Sequence, residues 1–156
     1  MSSPNRLIHV EIDDAGLPVP TPEIDQERKV AVFDLIEENQ FNIPDQPGPY
    51  RMNLAIKERR LVLDVRDEND GPLQAFLLSL SPFRQVVKDY FQICAAYFDA
   101  VKRLPPSQIE AIDMGRRGIH DEGARILEER LEGKIDLDKA TARRLFTLIC
   151  VLHFKG

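Results

Sequence analysis

Between proline breaks at Pro82 and at Pro105-Pro106, the chain carries apolar residues at helical spacing: Phe83, Val86, Val87, Tyr90, Phe91, Cys94, Tyr97, Phe98 and Val101. Steps of three and four residues keep these side chains on one face of a 3.6-residue helix for about five turns. A strand cannot hold them together, because its side chains alternate with a period of two. An amphipathic helix this long must bury its stripe, so the stripe is expected to be core rather than a cofactor box, and the rest of the chain has to supply what covers it. Ser81 before Pro82 predicts a start by an N-cap followed by proline in the first turn.

Upstream, the patterning switches to period two. Residues 6–12 alternate from Ile8 onward and read as a strand with Ile8, Val10 and Ile12 on one face. Asp13-Asp14-Ala15-Gly16 ends it, and residues 18–22 form a stiff proline linker. Thr21-Pro22 then predicts a capped helix, with Glu23, Asp25 and Glu27 favoured near its positive end. Ile24, Arg28, Ala31, Leu35 and Ile36 trace one face of that helix, with Val32 beside it, and it is expected to end near Asn39. Residues 42–49 hold three prolines and a glycine, which makes them loop.

Tyr50, Met52, Leu54 and Ile56 alternate with polar neighbours, and so do Leu61, Leu63 and Val65 across the charged turn Lys57-Glu58-Arg59-Arg60. This is a hairpin pattern. Glu68-Asn69-Asp70-Gly71-Pro72 is a second turn, and residues 73–80 give a third strand. Downstream, Ser107-Gln108-Ile109-Glu110 matches a capping box. It predicts a helix from Gln108 towards Leu131 that stops at Gly133. Asp138 is expected to cap a last, buried helix carrying Leu145, Ile149 and Leu152. The expected fold class is α+β: a small antiparallel meander of three to four strands packed against four helices.

A chain of 156 residues is one ordinary domain and can bury a core without a metal or a disulfide. Residues 1–156 are therefore read as a single domain. The net charge is −5, divided into +2 from Pro82 onward and −7 before it. With a pI near 5.3, this balance argues against a dedicated nucleic-acid binder and leaves room for a local basic patch in the C-terminal half. Cys94 and Cys150 lie in apolar runs and are expected to be buried thiols. Cys150 and His153 are three apart, but two ligands do not make a metal site. The N-terminus lacks a signal pattern, and the longest apolar run, near residues 145–154, is too short to span a membrane. The expected compartment is the cytosol.

One segment has the composition of a site. Residues 112–123 hold Gly115, Gly118 and Gly123 beside Asp113, Arg116, Arg117 and His120. Each glycine inside a helix costs about 1 kcal/mol relative to alanine. Either the helix breaks, or a backbone or a ligand comes close. In an unbroken helix, Ile112, Gly115, Ile119, Gly123 and Ile126 form the apolar stripe. Arg116 then falls inside that stripe, and a buried guanidinium needs an anion. Asp113, Arg117 and His120 lie along the stripe's edge, where Asp113 and Arg117 can pair. Two readings stand. In one, Arg116 is held by a carboxylate from another element and His120 is satisfied by backbone. In the other, Asp113, Arg116, Arg117 and His120 form a ligand site in which arginine recognises phosphate or carboxylate. A helix broken at residues 115–118 would instead suggest a two-helix DNA reader, which the acidic balance and the lack of a basic recognition face argue against.

His9 is expected to be exposed on its strand, and Arg143-Arg144 to sit on a solvated helix edge. No phosphate-binding glycine loop, nucleophile elbow or zinc-helix motif occurs, so no cofactor, metal or catalytic nucleophile is nominated.

The run Ile109-Glu110-Ala111-Ile112-Asp113-Met114-Gly115-Arg116-Arg117-Gly118-Ile119-His120 is distinctive. So are Leu80-Ser81-Pro82-Phe83-Arg84, Val87-Lys88-Asp89-Tyr90-Phe91 and Ala142-Arg143-Arg144-Leu145-Phe146-Thr147-Leu148-Ile149-Cys150-Val151-Leu152-His153. With Val32-Phe33-Asp34-Leu35-Ile36-Glu37-Glu38-Asn39 and Gly48-Pro49-Tyr50, they make nearly the whole chain resemble a bacterial family known as uncharacterised protein family 0262. The resemblance implies a bacterial cytosolic protein of one domain, and it brings no activity, cofactor or catalytic residue. The functional expectation is a small cytosolic binding or regulatory protein that engages a protein partner or a small anionic ligand through the segment around Arg116. The alternative is an enzyme acting on a phosphorylated or carboxylated metabolite, with His120 and Asp113 as acid or base.

Overall fold

The structure, a computed structural model, describes residues 5–15, 17 and 19–152. The elements run β1 (Leu7–Ile12), α1 (Pro22–Glu37), β2 (Phe41–Asn42), β3 (Tyr50–Lys57), β4 (Arg60–Arg66), β5 (Pro72–Ser79), α2 (Arg84–Arg103), α3 (Pro106–Leu131), β6 (Asp136–Leu137) and α4 (Lys139–Leu152). This is an α+β fold with a four-stranded sheet in the order β1-β3-β4-β5, a two-stranded ladder of β2 with β6, and four helices. No helix among the described residues is long and apolar enough to cross a membrane.

β3, β4 and β5 form the expected antiparallel meander. Its register stacks apolar side chains in rows across the strands: Leu54 opposite Leu63 opposite Phe76, and Ile56 opposite Leu61 opposite Leu78. The alternate positions, among them Arg51, Asn53, Asp64 and Arg66, form a polar face, as one-sided antiparallel sheets require. The tight β3–β4 turn places Glu58 and Arg59 at positive φ, the geometry of a two-residue hairpin whose twist matches its strands.

β1 adds to the edge of the meander, but parallel to β3. Alternation reports a strand's faces and not its direction. Here the direction is set by α1, which carries the chain back along the sheet before β3 begins. A bulge between Leu7 and His9 also shifts β1's faces, so Leu7 and Val10 are buried and Ile8 is exposed, against the expected Ile8-Val10-Ile12 face. His9 is half-buried beside Glu11, at 3.4 Å.

Thr21 caps α1 as its sequence predicts, its hydroxyl accepting the Ile24 N–H at 3.2 Å. Ile24, Arg28, Ala31 and Leu35 make the buried face. Asn39 ties the end of α1 to β1: its amide accepts from Leu7 N–H and donates to the Leu7 and Leu35 carbonyls. Asp138 caps α4 through the Thr141 N–H at 2.9 Å, and the buried Thr141 hydroxyl accepts from the Gln40 backbone. Apolar residues almost encircle α4 from Leu145 to Leu152, and they form the centre of the core.

Two expected caps are not used. A short 3-10 turn over Ser81–Phe83 leads into α2 without a side-chain cap, because the Phe83 N–H already donates to the Leu80 carbonyl. α3 starts one residue before Ser107, with Pro106 in its first turn and Pro105 at the cap position, so the capping box does not form. At the far end, Gly133 takes φ +77 just past α3, as a helix stop requires.

Candidate functional site

α3 is a single helix of 26 residues, which removes the two-piece alternative for residues 112–123. Its buried face is rotated from the one the isoleucines suggested. Gly123, Ala124, Leu127 and Leu131 are buried, whereas Ile119 and Ile126 are only partly so. At about 100° per residue, that face continues towards the N-terminus through His120 and Arg116. The core stripe of α3 therefore turns polar one helical turn before Gly123.

The glycines serve different ends. A Cβ on Gly123 would lie 2.4 Å from the ring of Phe146, so this glycine lets α3 and α4 touch. A Cβ on Gly115 would meet only Ile93, at 3.5 Å, and one on Gly118 would meet nothing within 4 Å.

His120 packs into the seam that Gly123 opens. Its ring stacks on Tyr90 of α2 at 5.4 Å and 23°, and sits edge-on to Phe146 of α4 at 6.1 Å. Its Nε2 is buried without a hydrogen-bond partner. Burial first, then the positive charges of Arg143 and Arg116, hold its pKa below the usual histidine value against the opposing pull of Asp121. The imidazole is thus kept neutral by its surroundings.

Arg116 lies one turn earlier. Its guanidinium stacks on the Tyr97 ring at 4.7 Å and binds Asp113 Oδ1 through Nη2 at 2.6 Å. The other oxygen of Asp113 takes Arg117 at 3.2 Å. The carboxylate that holds Arg116 thus comes from its own helix, not from another element, and it is shared by two guanidiniums. On the α4 side, Asp121 is likewise shared, by Arg143 at 3.5 Å and Lys139 at 3.9 Å. Within these contacts two carboxylates meet four cations, which leaves an excess of positive charge on either side of His120.

The helix packing places a groove in front of Arg116. α1 and α3 both pack on α4, and α2 packs on α3, but α1 and α2 make little contact with each other. The gap between them is a groove of about 480 Å³, floored by Thr147 and Val151. One wall is α1, with Glu27, Val30 and Asp34; the other is α2, with Phe91, Cys94, Tyr97 and Phe98, closed by Arg116. Of the four sequence-nominated residues, Arg116 alone lines this groove. Asp113 stands behind it, Arg117 is largely exposed and His120 faces the Tyr90–Phe146 seam.

The α2 stripe is thus only half core. Phe83, Val86 and Val87 are buried, but Phe98 is 65% exposed and Val101 53%. The groove residues of α1 and α2 escaped the sequence reading because periodicity marks a face without showing which turns of it are covered. Cys94 is half-buried on the groove wall, its pKa raised chiefly by burial, and Cys150 is fully buried with its pKa pushed further up for the same reason. Both are free thiols and, so protonated, weak nucleophiles. His153, three residues from Cys150, lies outside the described residues, and among those described no cluster of three metal-ligating side chains occurs.

A model of the family described as "Uncharacterised protein family (UPF0262)" matches residues 4–155. A protein of Jannaschia sp. strain CCS1, named as a UPF0262 protein, is 70% identical over 95% of this chain and 97% of its own length. A UPF0262 protein of Ruegeria pomeroyi is 63% identical over 97% of this chain and 98% of its own. One of Paracoccus denitrificans is 63% identical over 96% of each. No solved structure matches the chain.

Proposed function

We propose that this chain, which belongs to the uncharacterised protein family UPF0262, is a small single-domain cytosolic binding or regulatory protein that holds an apolar group carrying a negative charge. The site is the groove between α1 and α2, and Arg116 is its anion anchor.

The observation that carries this reading is Arg116 itself. It closes an otherwise apolar wall of Phe91, Tyr97 and Phe98, and it shares with Arg117 the one carboxylate it pairs with among the described residues. Asp113 and the Tyr97 ring hold the guanidinium in one orientation, which lowers the entropy lost when it takes a ligand oxygen. A volume of about 480 Å³ suits a small-molecule or side-chain occupant. The two free thiols fit a reducing compartment.

The enzymatic alternative needs His120 to meet the ligand. Its ring lies between Tyr90 and Phe146 instead, which favours binding over turnover. The unbroken α3 and the low pI weigh against nucleic acid.

The test is a fluorescence titration with 8-anilinonaphthalene-1-sulfonate, an aromatic body bearing an anion. Saturable binding is expected, weakened about 10- to 100-fold in Arg116→Ala, the loss of one charge-assisted hydrogen bond. An affinity unchanged by that substitution would contradict the reading. So would turnover of a small metabolite that Arg116→Ala abolishes without unfolding the protein.

A further inference from the structure

We propose that the partner which fits this groove is the α1 helix of a second copy, so that the chain forms a two-fold dimer. The inference rests on the groove reading above and names its occupant.

Large apolar side chains exposed at the surface are concentrated here. Of the eight among the described residues, Val30 and Phe98 line the groove, and Phe33, Val101 and Met114 stand elsewhere on the helices that form it. Such clustering marks an interaction surface, whereas isolated apolar residues do not.

Charge selects the occupant. On α1, Val30 and Phe33 are flanked by Glu27, Asp34 and Glu37, none of which has an ion-pair partner among the described residues. The opposite wall presents Phe98 and Tyr97 beside Arg116, with Arg117 behind. The groove side of α1, with Glu27, Val30 and Asp34 on the wall and Phe33 and Glu37 beyond its rim, is therefore an apolar surface with negative charge, the chemistry that the opposite wall accepts. A two-fold axis through the groove lays the acidic α1 ridge of each copy on the basic aromatic wall of the other. One operation then opposes unlike charges twice, covers both exposed aromatics and leaves no bare wall to propagate a filament. Phe33 and Phe98 become the anchors, as buried aromatics are at the centre of interfaces.

The experiment is sedimentation of the full chain across the micromolar range, read together with the anilinonaphthalene sulfonate titration. The mass is expected to rise with concentration from 17.8 kDa towards twice that value. Phe98→Asp and Phe33→Asp, at exposed positions and checked for fold by circular dichroism, should each raise the dimer dissociation constant by about 100-fold. Phe98→Ser and Phe33→Ser should give smaller shifts in the same direction, and they stand in if an aspartate variant misfolds. Glu27→Lys and Arg116→Glu should each weaken the dimer, and their combination should recover part of the loss. A dimer that ignores Phe33 and Phe98, or a double variant that recovers nothing, overturns the proposed pairing. A monomer at every concentration that still binds the dye through Arg116 overturns the dimer and leaves the ligand reading standing. A monomer that does not bind the dye removes both.

Discussion

The two halves of α3 are built from similar residues and do opposite things. From Gly123 to Leu131 the helix presses on α4 so closely that only glycine fits beside the Phe146 ring. From Pro106 to Arg117 the same face carries Asp113 and Arg116 instead of leucine, and its neighbour α2 shows Phe98 and Val101 to solvent. A long helix hairpin can thus be core at one end and solvent-facing at the other, with no break in its backbone. The change falls at His120, an imidazole held between a core phenyl ring and a tyrosine.

The largest expected difference between the halves comes from truncating the ring on which they divide. Phe146→Ala removes a fully buried phenyl group from beside Gly123 and His120, and should cost about 3–5 kcal/mol of unfolding free energy. Truncation at Met114, 64% exposed in the other half, should stay within about 0.5 kcal/mol. Equal losses at the two positions in a urea melt would erase the distinction.

Alanine at the glycines sharpens it. Gly123→Ala drives a Cβ into a ring that cannot retreat, and the overpacking should outweigh the gain in helix propensity, for a net loss of about 1–3 kcal/mol. Gly118→Ala meets nothing and should stabilise the helix by up to about 1 kcal/mol. Opposite signs in thermal unfolding are the expected outcome. Two losses would mean that Gly118 serves an approach that the helix packing does not reveal.

The smallest effect is a dependence on pH. Tyr90 faces His120 from α2, Phe146 and Arg143 from α4, and Arg116 and Asp121 lie on its own helix. Because its folded pKa is depressed, the unfolded chain takes up a proton first as the pH falls. Its contribution to stability is therefore full above the unfolded value of about 6.5 and declines as the pH drops from there towards the folded value. His120→Phe should flatten that part of the stability–pH curve. A curve of unchanged slope in the variant would assign the dependence to other groups.

What was legible in the sequence follows the same division. The β3–β4–β5 meander is legible because the inward residues of β3 and β4 alternate over most of their length and turn residues separate the strands. Thr21, Asp138 and Gly133 act as helix signals because each lies next to the helical residues it serves. Local pattern failed where a second element decides the outcome. The bulge after Leu7 depends on pairing with β3, and the direction of β1 depends on α1. The unused cap at Ser107 depends on the proline beside it taking the first turn. Arg116 is legible as a residue needing explanation because an arginine on a buried face must find an anion. Its half-share in Asp113 and its groove could not be read, since both depend on how four helices pack. For the same reason the periodicity of α2 marks a face without marking which of its turns are covered.

The groove between α1 and α2, ended by Arg116, is proposed as the place where this protein binds. Its most direct test is to map amide chemical-shift changes in the uniformly labelled protein as naphthalene sulfonate is added. The changes are expected to gather at Val30, Ala31, Cys94, Ala95, Arg116 and Val151, and to need about 10- to 100-fold more ligand in Arg116→Ala. Changes centred instead on the polar pocket of Arg6, Asn39, Asn42 and Asp136, or spread over the sheet, would contradict it.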